Sequence, residues 1–328
     1  MRHLTITEYG QFVGVTSERV VVRDSDKTIL ETPLSRLRSI SIAKDGVSFS
    51  SNLVLACAQR GVRLFITDWR GIAVAAIAGQ HRHAIASLRK KQFEFIDGAN
   101  SKTTAAGMIY GKLRNQRAVL LYFSKYHKQH TEKIYQTAEF IQQQAQRLRR
   151  TDWAQRKRWR EEIVGLEGAA AAAYWQTIAE LNLLGNGFEK RIGRGAPDLP
   201  NQMLNYGYSL LTSYVWSALD NAGFELYAGI LHVERAGKPS LVLDMMEEYR
   251  AWVVDRQVIK LRSQIKNNSI LTIKLKKQLS KAIQETMSSK HLYQKKRLRL
   301  ETILQRQAYR LAACMVDEKR YQPMRFKW

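Results

Sequence analysis

The segment GILHVERAGKPSLVLDMMEEYR, Gly229 to Arg250, brings one imidazole and three carboxylates close together in sequence. His232 ends one apolar run, and Asp244, Glu247 and Glu248 leave a second one after a Gly-Lys-Pro turn. On a helix, Asp244 and Glu247 at i, i+3 share a face, and Glu248 lies near it. Upstream, EEIVGLEGAAAAAYW sets Glu167 between Leu166 and Gly168, ahead of five alanines. Small residues there let another helix or a ligand come close. An imidazole with two or three carboxylates is a donor set for a hard divalent cation. Mg²⁺ and Mn²⁺ prefer oxygen ligands, and one imidazole suits Mn²⁺. Such an ion polarises a phosphoryl oxygen and activates a hydroxyl nucleophile.

Each residue alone has a plainer account. Glu167 reads as an exposed glutamate near a helix start, favoured by the dipole. A lone histidine at the end of an apolar strand-like run is more often hydrogen-bonded structure than a ligand. Asp244 is suited to N-capping, and Glu247 three residues on completes a capping-box-like spacing. Against these accounts stand the company the residues keep and the charge of the chain.

That charge is extreme. Lys and Arg total 53 against 29 Asp and Glu, a net +24 over 328 residues. Residues 256–328 alone carry 19 Lys and Arg against 4 Asp and Glu, or +15. Such a balance attracts a polyanion, with nucleic acid first. Carboxylates set in a cationic groove would repel that polyanion unless they served an ion. The longest apolar run, IAVAAIA, is too short to span a bilayer, and MRHLTITEYG has no signal-peptide core. A cytoplasmic protein with no membrane association is expected. Cys57 and Cys314, the two cysteines, are expected as buried thiols.

The elements that must hold these groups fall into two sets. HLTIT, QFVGVT, RVVVRD, TILETPL, LRSISIA, VRLFITD and GIAVAAIAG read as short strands, with one helix at Ser51–Gly61. Beyond Arg82 the period shifts to 3.6, with helices expected over 85–95, 105–126, 134–150 and 153–184. GNGFEKRIGRGAPDLP is a loop, followed by helices at 201–223 and 244–262 and basic amphipathic ones at 271–287 and 291–314. The expected class is α+β: a small β-rich N-terminal domain, 1–82, then a larger all-α C-terminal domain, 83–328.

The order GLEGAAAAAYW, PDLPNQMLNYGYSLL, AGILH, LVLDMMEEYRAWVVDR resembles the CRISPR-associated endonuclease/integrase of spacer acquisition, the Cas one family. LVLACAQRGVRLFITDWRG resembles the segment joining that family's two domains, and LRKKQF and GKLRNQRAVL its next two helices. The resemblance covers nearly the whole chain; the basic tail after Met287 is less typical. It implies an asymmetric homodimer made through the β-domains and a metal-dependent site in each helical domain. It also implies two such dimers flanking a dimer of a small ferredoxin-like partner, Cas two. The metal ligands it implies are Glu167, His232 and Glu247, with Asp244 as a second acidic member of the cluster.

The expected function is a DNA integrase and endonuclease using Mg²⁺ or Mn²⁺. The 3′-hydroxyl of a short double-stranded fragment would attack a phosphodiester of the CRISPR repeat. Duplex contacts are expected from Lys190, Arg191 and Arg194 in the Gly-rich loop and from Lys274 and Lys277 on a basic helix. Arg89 and Arg250 either join them or pair with the site carboxylates. The competing readings are a branched-DNA nuclease, a transposase-like integrase outside CRISPR, and a non-catalytic basic DNA scaffold.

Overall fold

The computed structural model describes residues 3–68, 73–77, 79, 85–126, 128–185, 187–266 and 270–327. Two compact units divide the chain, Met1–His83 and Ala84–Trp328. The expected domain boundary at 82/83, like parts of the GIAVAAIAG run, lies outside the described residues.

The first unit holds β1 (His3–Ile6), β2 (Gln11–Thr16), β3 (Arg19–Asp24), β4 (Lys27–Pro33), β5 (Ser39–Ile42), β6 (Ser48–Phe49), α1 (Ser51–Gln59), β7 (Arg63–Thr67) and β8 (Ala73–Ile77). These form two four-stranded sheets, ordered β1-β5-β7-β8 and β4-β3-β2-β6. Ser17 and Glu18 both take positive φ, which makes the two-residue β2–β3 turn match the right-handed strand twist. Ser50 caps α1 by accepting from the Leu53 amide. The apolar faces of both sheets and α1 share one core that includes Val13, Val20, Ile40, Leu53 and Leu64. Val74 on β8, Ile29 on β4 and Leu55 on α1 remain exposed.

The second unit is built from α2 (Ile85–Asp97), α3 (Ala99–Ser124), α4 (Thr131–Arg150), α5 (Trp159–Glu180), α6 (Leu199–Ala222) and α7 (Ser240–Tyr249). After α7 come α8 (Arg256–Lys260), α9 (Arg262–Lys266), α10 (Ile273–Ser288), the hairpin β9 (Lys290–Tyr293) and β10 (Lys296–Arg299), and α11 (Leu300–Asp317). The strand-rich first unit and mostly helical second one are the expected α+β class. Helix α3 is the hub. It is buried on most of its circumference and packs on α4, α5 and α7. Among the described residues, no helix is long and apolar enough to cross a membrane. Cys57 and Cys314 are free, buried thiols.

Four local expectations are corrected. The helix expected from Trp153 begins at Trp159, because the Trp153 indole is buried and donates to Leu148 O at 2.7 Å, folding 151–158 into a loop. The helix expected from His291 begins at Leu300. Gln294 and Lys295 take positive φ, and 290–299 forms a hairpin in which Tyr293 turns inward. His232 lies on the loop joining α6 to α7 rather than on a strand. The helix expected from Asp244 begins at Ser240, so Asp244 is not an N-cap.

Immediately after α7 the helix widens into a six-residue π segment, Arg250–Asp255, before α8. Such insertions recur where a helix must re-aim side chains at a functional site.

Candidate active site

Glu167 on α5 and Glu247 on α7 both face the ammonium of Lys112, at the middle of α3. Lys112 Nζ lies 2.6 Å from Glu247 Oε2 and bonds to Glu167 Oε1. Lys112 is buried because it sits on the face of α3 that also carries Met108 and Ile109. Arg250, one turn beyond Glu247, adds a second cation at 3.2 Å from Glu247 Oε1. Its guanidinium rests over the Tyr208 ring, 5.0 Å from the centroid.

Burial alone would raise the Glu247 carboxyl, but Arg250 and Lys112 overcome it and hold the group down to about 2. Burial works to strip the proton from Lys112, yet Glu247 and Glu167 raise its affinity above the ordinary lysine value. Two carboxylates and two cations thus meet at one point inside a helix bundle.

His232 approaches from the α6–α7 loop. Helix α6 stops at Gly223, whose φ of 94° fits the left-handed cap. The loop then wraps round Asp244. Asp244 Oδ2 accepts from the amides of Ile230 at 2.5 Å and Leu231 at 3.0 Å. Its Oδ1 accepts from the His232 amide at 2.9 Å and lies 2.6 Å from His232 Nδ1. Burial lowers the imidazole's proton affinity, but the bond to Asp244 and the charges of Asp244 and Glu247 raise it above the usual histidine value. Asp244 is 1% exposed and His232 38%, so the ring is the open member of the pair. Asp244, expected as a further acidic member of the cluster, meets the site through the His232 ring. Both of its oxygens are engaged in shaping the loop and aiming the ring, leaving Nε2 as the unengaged ring nitrogen.

Glu248, also near the expected face, turns away into the core. There Tyr321 donates to Oε1 at 2.5 Å and the Met324 amide to Oε2 at 2.6 Å.

The donor chemistry of Glu167, Glu247 and His232 suits a hard divalent cation. Glu247 Oε2 is buried, and among the described residues its partner is the Lys112 ammonium. It is the oxygen a cation would claim. Among the described residues, no three His, Cys, Asp or Glu side chains gather as a ready ligand shell; the Lys112 ammonium stands between two of the three candidates.

The basic residues separate by surroundings. Arg89 pairs with Glu225 at 3.5 Å and reaches Phe224 O, bracing α2 against the α6–α7 loop. Arg191 is tied to Asn201 Oδ1 at 2.9 Å and Asn205 Oδ1 at 2.6 Å, and its guanidinium lies over Tyr208. Lys190 and Arg194 are exposed or nearly so, and Lys274 and Lys277 point outward from α10, whose inner face is Leu275, Leu279 and Ile283. The sequence reading missed two features. Lys112 was signalled as a lone lysine on the apolar face of a long helix. The run from Arg147 to Arg158 keeps Arg149, Arg150, Arg156 and Lys157 exposed around the buried Trp153, at the entry to the helix that carries Glu167.

The model of the family described as CRISPR associated protein Cas1 matches residues 4–291. The CRISPR-associated endonuclease Cas1 1 of Francisella tularensis subsp. novicida is 44% identical over 328 residues, spanning all of both chains. In three dimensions the chain resembles a casposase bound to integration product, with TM-score 0.80 and 21% identity over 98% of this chain and 93% of that one. It also resembles a chain of a Cas6-RT-Cas1–Cas2 complex, with TM-score 0.78 and 22% identity over 98% of this chain and 36% of that one. At those identities the two structures speak for the fold. The family model and the full-length relative go further: the chain belongs to the Cas1 family of CRISPR-associated proteins.

Proposed function

We propose that the chain joins short DNA fragments to a CRISPR repeat by metal-dependent strand transfer, with Glu167, His232 and Glu247 holding Mg²⁺ or Mn²⁺. The carrying observation is a buried carboxylate, Glu247, and a half-buried one, Glu167, bridged by Lys112 beside an imidazole aimed by Asp244. When bound, the ion would polarise the scissile phosphodiester and acidify the attacking 3′-hydroxyl. The 3′-oxygen forms a bond to phosphorus as the repeat's own 3′-oxygen leaves, so one P–O bond replaces another and no nucleotide cofactor is needed.

The protein's residues prepare that exchange. Lys112 and Arg250 balance Glu167 and Glu247, so a phosphate meets no net negative charge. Asp244 fixes the tautomer and direction of His232, as carboxylates do for ligating histidines. The exposed cations of residues 147–158, with Lys190, Arg194, Lys274 and Lys277, are suited to holding duplex phosphates. Arg89, Arg191 and Arg250 are tied to protein groups and shape the site instead.

For assembly, the reading is a homodimer made through the first unit, which leaves Val74, Ile29 and Leu55 exposed on strands and helix. The likeness to a chain from a Cas1–Cas2 complex supports a small Cas2 partner. A transposase-like integrase outside CRISPR has the casposase likeness in its favour and uses the same chemistry. The full-length relative at 44% identity ranks it second. A non-catalytic scaffold has no use for carboxylates buried in so basic a chain.

The test is incubation with a short duplex and supercoiled repeat-bearing plasmid, with and without Mn²⁺. Wild type should join fragment to plasmid in the presence of Mn²⁺ alone, and His232→Ala should not join it while still binding duplex. Wild-type joining by His232→Ala would show the site to be elsewhere. Light scattering should give a dimer; a strict monomer at micromolar concentration removes that part.

A further inference from the structure

Beyond α11, residues 318–327 run as an extended segment across the helices that carry Lys112 and Glu247. Tyr321, Met324 and Phe326 point inward, while Lys319, Arg320, Arg325 and Lys327 are exposed. The inward side does more than fill space. Asn115, one turn beyond Lys112 on α3, is fully buried. Its Nδ2 donates to Met324 O at 2.9 Å and to Glu248 O at 2.6 Å, and its Oδ1 accepts from the Phe326 amide at 2.9 Å. Glu248, the residue after Glu247 on α7, accepts from the Tyr321 hydroxyl and the Met324 amide. One asparagine and one glutamate, each near a site residue, are thus linked through three residues of the extended chain, Tyr321, Met324 and Phe326, with Met324 common to both.

The packing is equally specific. A Cβ on Gly111 would stand 2.6 Å from Pro323 Cβ and 3.2 Å from Glu248 Cγ, so α3, α7 and the segment meet at a point where only glycine fits. Phe326 stacks on Trp252 of the π segment, centroids 5.1 Å apart and rings 8° from parallel. Gln307 on α11 donates to Gln322 O at 3.0 Å and anchors the middle of the run.

We infer that residues 318–327 form a brace that sets the spacing of α3 and α7, with Tyr321 and Phe326 as positioning residues for Glu247. This rests on the proposed site. Glu247 rides on α7, so a shift of about 1 Å of that helix misplaces its carboxylate, and errors of that size can cost ~100-fold in rate. Asn115 also supplies a donor to Glu248 O, next to the point where the helix widens into its π segment. The brace therefore supports the re-aimed turn that carries Arg250.

Tyr321→Phe removes one hydroxyl and keeps the ring; Phe326→Ala removes the stack on Trp252. For each full-length variant, Mn²⁺ affinity is measured by calorimetry, strand transfer by single turnover at saturating DNA, duplex affinity by titration, and the melting midpoint by circular dichroism. The expected result is ~10-fold weaker Mn²⁺ binding and ~10-fold slower transfer, as for other groups that support metal ligands, with duplex affinity unchanged. Wild-type Mn²⁺ affinity and rate in folded Tyr321→Phe would overturn the brace, even if Phe326→Ala fails to fold. Recovery of wild-type values well below each variant's melting midpoint would overturn it too, leaving a stabilising role alone. His232→Ala in the same assays separates the two claims. If it keeps wild-type Mn²⁺ affinity and rate, the site reading fails and the brace falls with it. If it loses both while the brace variants lose neither, only the brace falls.

Discussion

His232 Nδ1 lies 2.6 Å from Asp244 Oδ1, and the same carboxylate holds three consecutive backbone amides of the loop that carries the histidine. One side chain thus builds the loop and aims its functional group. Asp244→Asn keeps the shape but turns an acceptor into a donor facing N–H groups. The loop should lose about 2–3 kcal/mol, the scale of hydrogen bonds to a charged acceptor. Strand transfer should fall ~10–100-fold, as when a carboxylate behind a ligating histidine is removed. Denaturant melts and single-turnover assays check both, and unchanged stability would show that the amide contacts carry little weight.

Lys112 offers a sharper test because its charge is buried between two opposite ones. Lys112→Met leaves Glu167 and Glu247 facing each other with only Arg250 to balance them. Breaking a buried ion pair on one side costs about 3–5 kcal/mol. The variant should melt earlier than wild type in chelator, and added Mn²⁺ should raise its midpoint more than that of wild type. An equal Mn²⁺ response in the two proteins would mean that the ammonium does not stand where the cation is proposed to bind.

How much of this could be read from sequence follows the range of each interaction. The strands of the first unit show in their alternation because each needs only its neighbours on the sheet. His232, Asp244 and Glu247 lie within one segment, so their association was visible in spacing, though Asp244's support of the loop was not. That role depends on where the helix starts, and the apolar run ahead of Asp244 conceals four helical residues from Ser240. Lys112 was hidden because its partners come from α5 and α7, and a lysine in a long helix reads as solvated. The π segment leaves no periodic signature, being held by contacts with Phe326, Tyr208 and Tyr174 from elsewhere in the chain. In 290–299 the many cations masked a period of two, and the hairpin read as helix.

Asp255, at the end of that π segment, makes stability depend on pH. It is buried and accepts from Tyr208 at 2.5 Å and Tyr174 at 3.1 Å. Burial outweighs these bonds and the nearby arginines, pushing the carboxyl from 3.8 up to about 6. Between those values the folded protein holds a proton that the unfolded chain has released. Stability contributed by the protonated form is full below about 4 and is lost as pH rises through about 6. The loss is about 3 kcal/mol in all, at about 1.4 kcal/mol per pH unit. Burial also pushes Glu248 up to about 8, so the same trend continues above that window. Glu248 acts from 4.5 upward, so Asp255→Asn should reduce the pH 4–6 slope of a urea-melt series to about half and leave the part above it. An unchanged slope in that window would assign the effect to another group.

The basic run at the entry to α5 gives the last prediction. Glu167 lies eight residues into α5, about 12 Å along its axis at 1.5 Å per residue. Arg149 and Arg150 are exposed at the end of α4 and Lys157 on the turn that leads into α5, which the buried Trp153 and Trp159 pin in place. A duplex whose scissile phosphate sits at Glu167 would pass these cations within a few phosphates. Each phosphate contact releases about 0.9 condensed counterion, so losing three should make the log-log salt dependence of binding shallower by about 2–3. Arg149→Gln, Arg150→Gln and Lys157→Gln together should therefore weaken duplex binding in low salt, with strand transfer at saturating DNA near that of wild type. The pair Lys274→Gln and Lys277→Gln, on the outward face of α10, is the comparison. If that pair alone shifts the slope, the duplex follows α10, and the run before α5 serves only to solvate the protein.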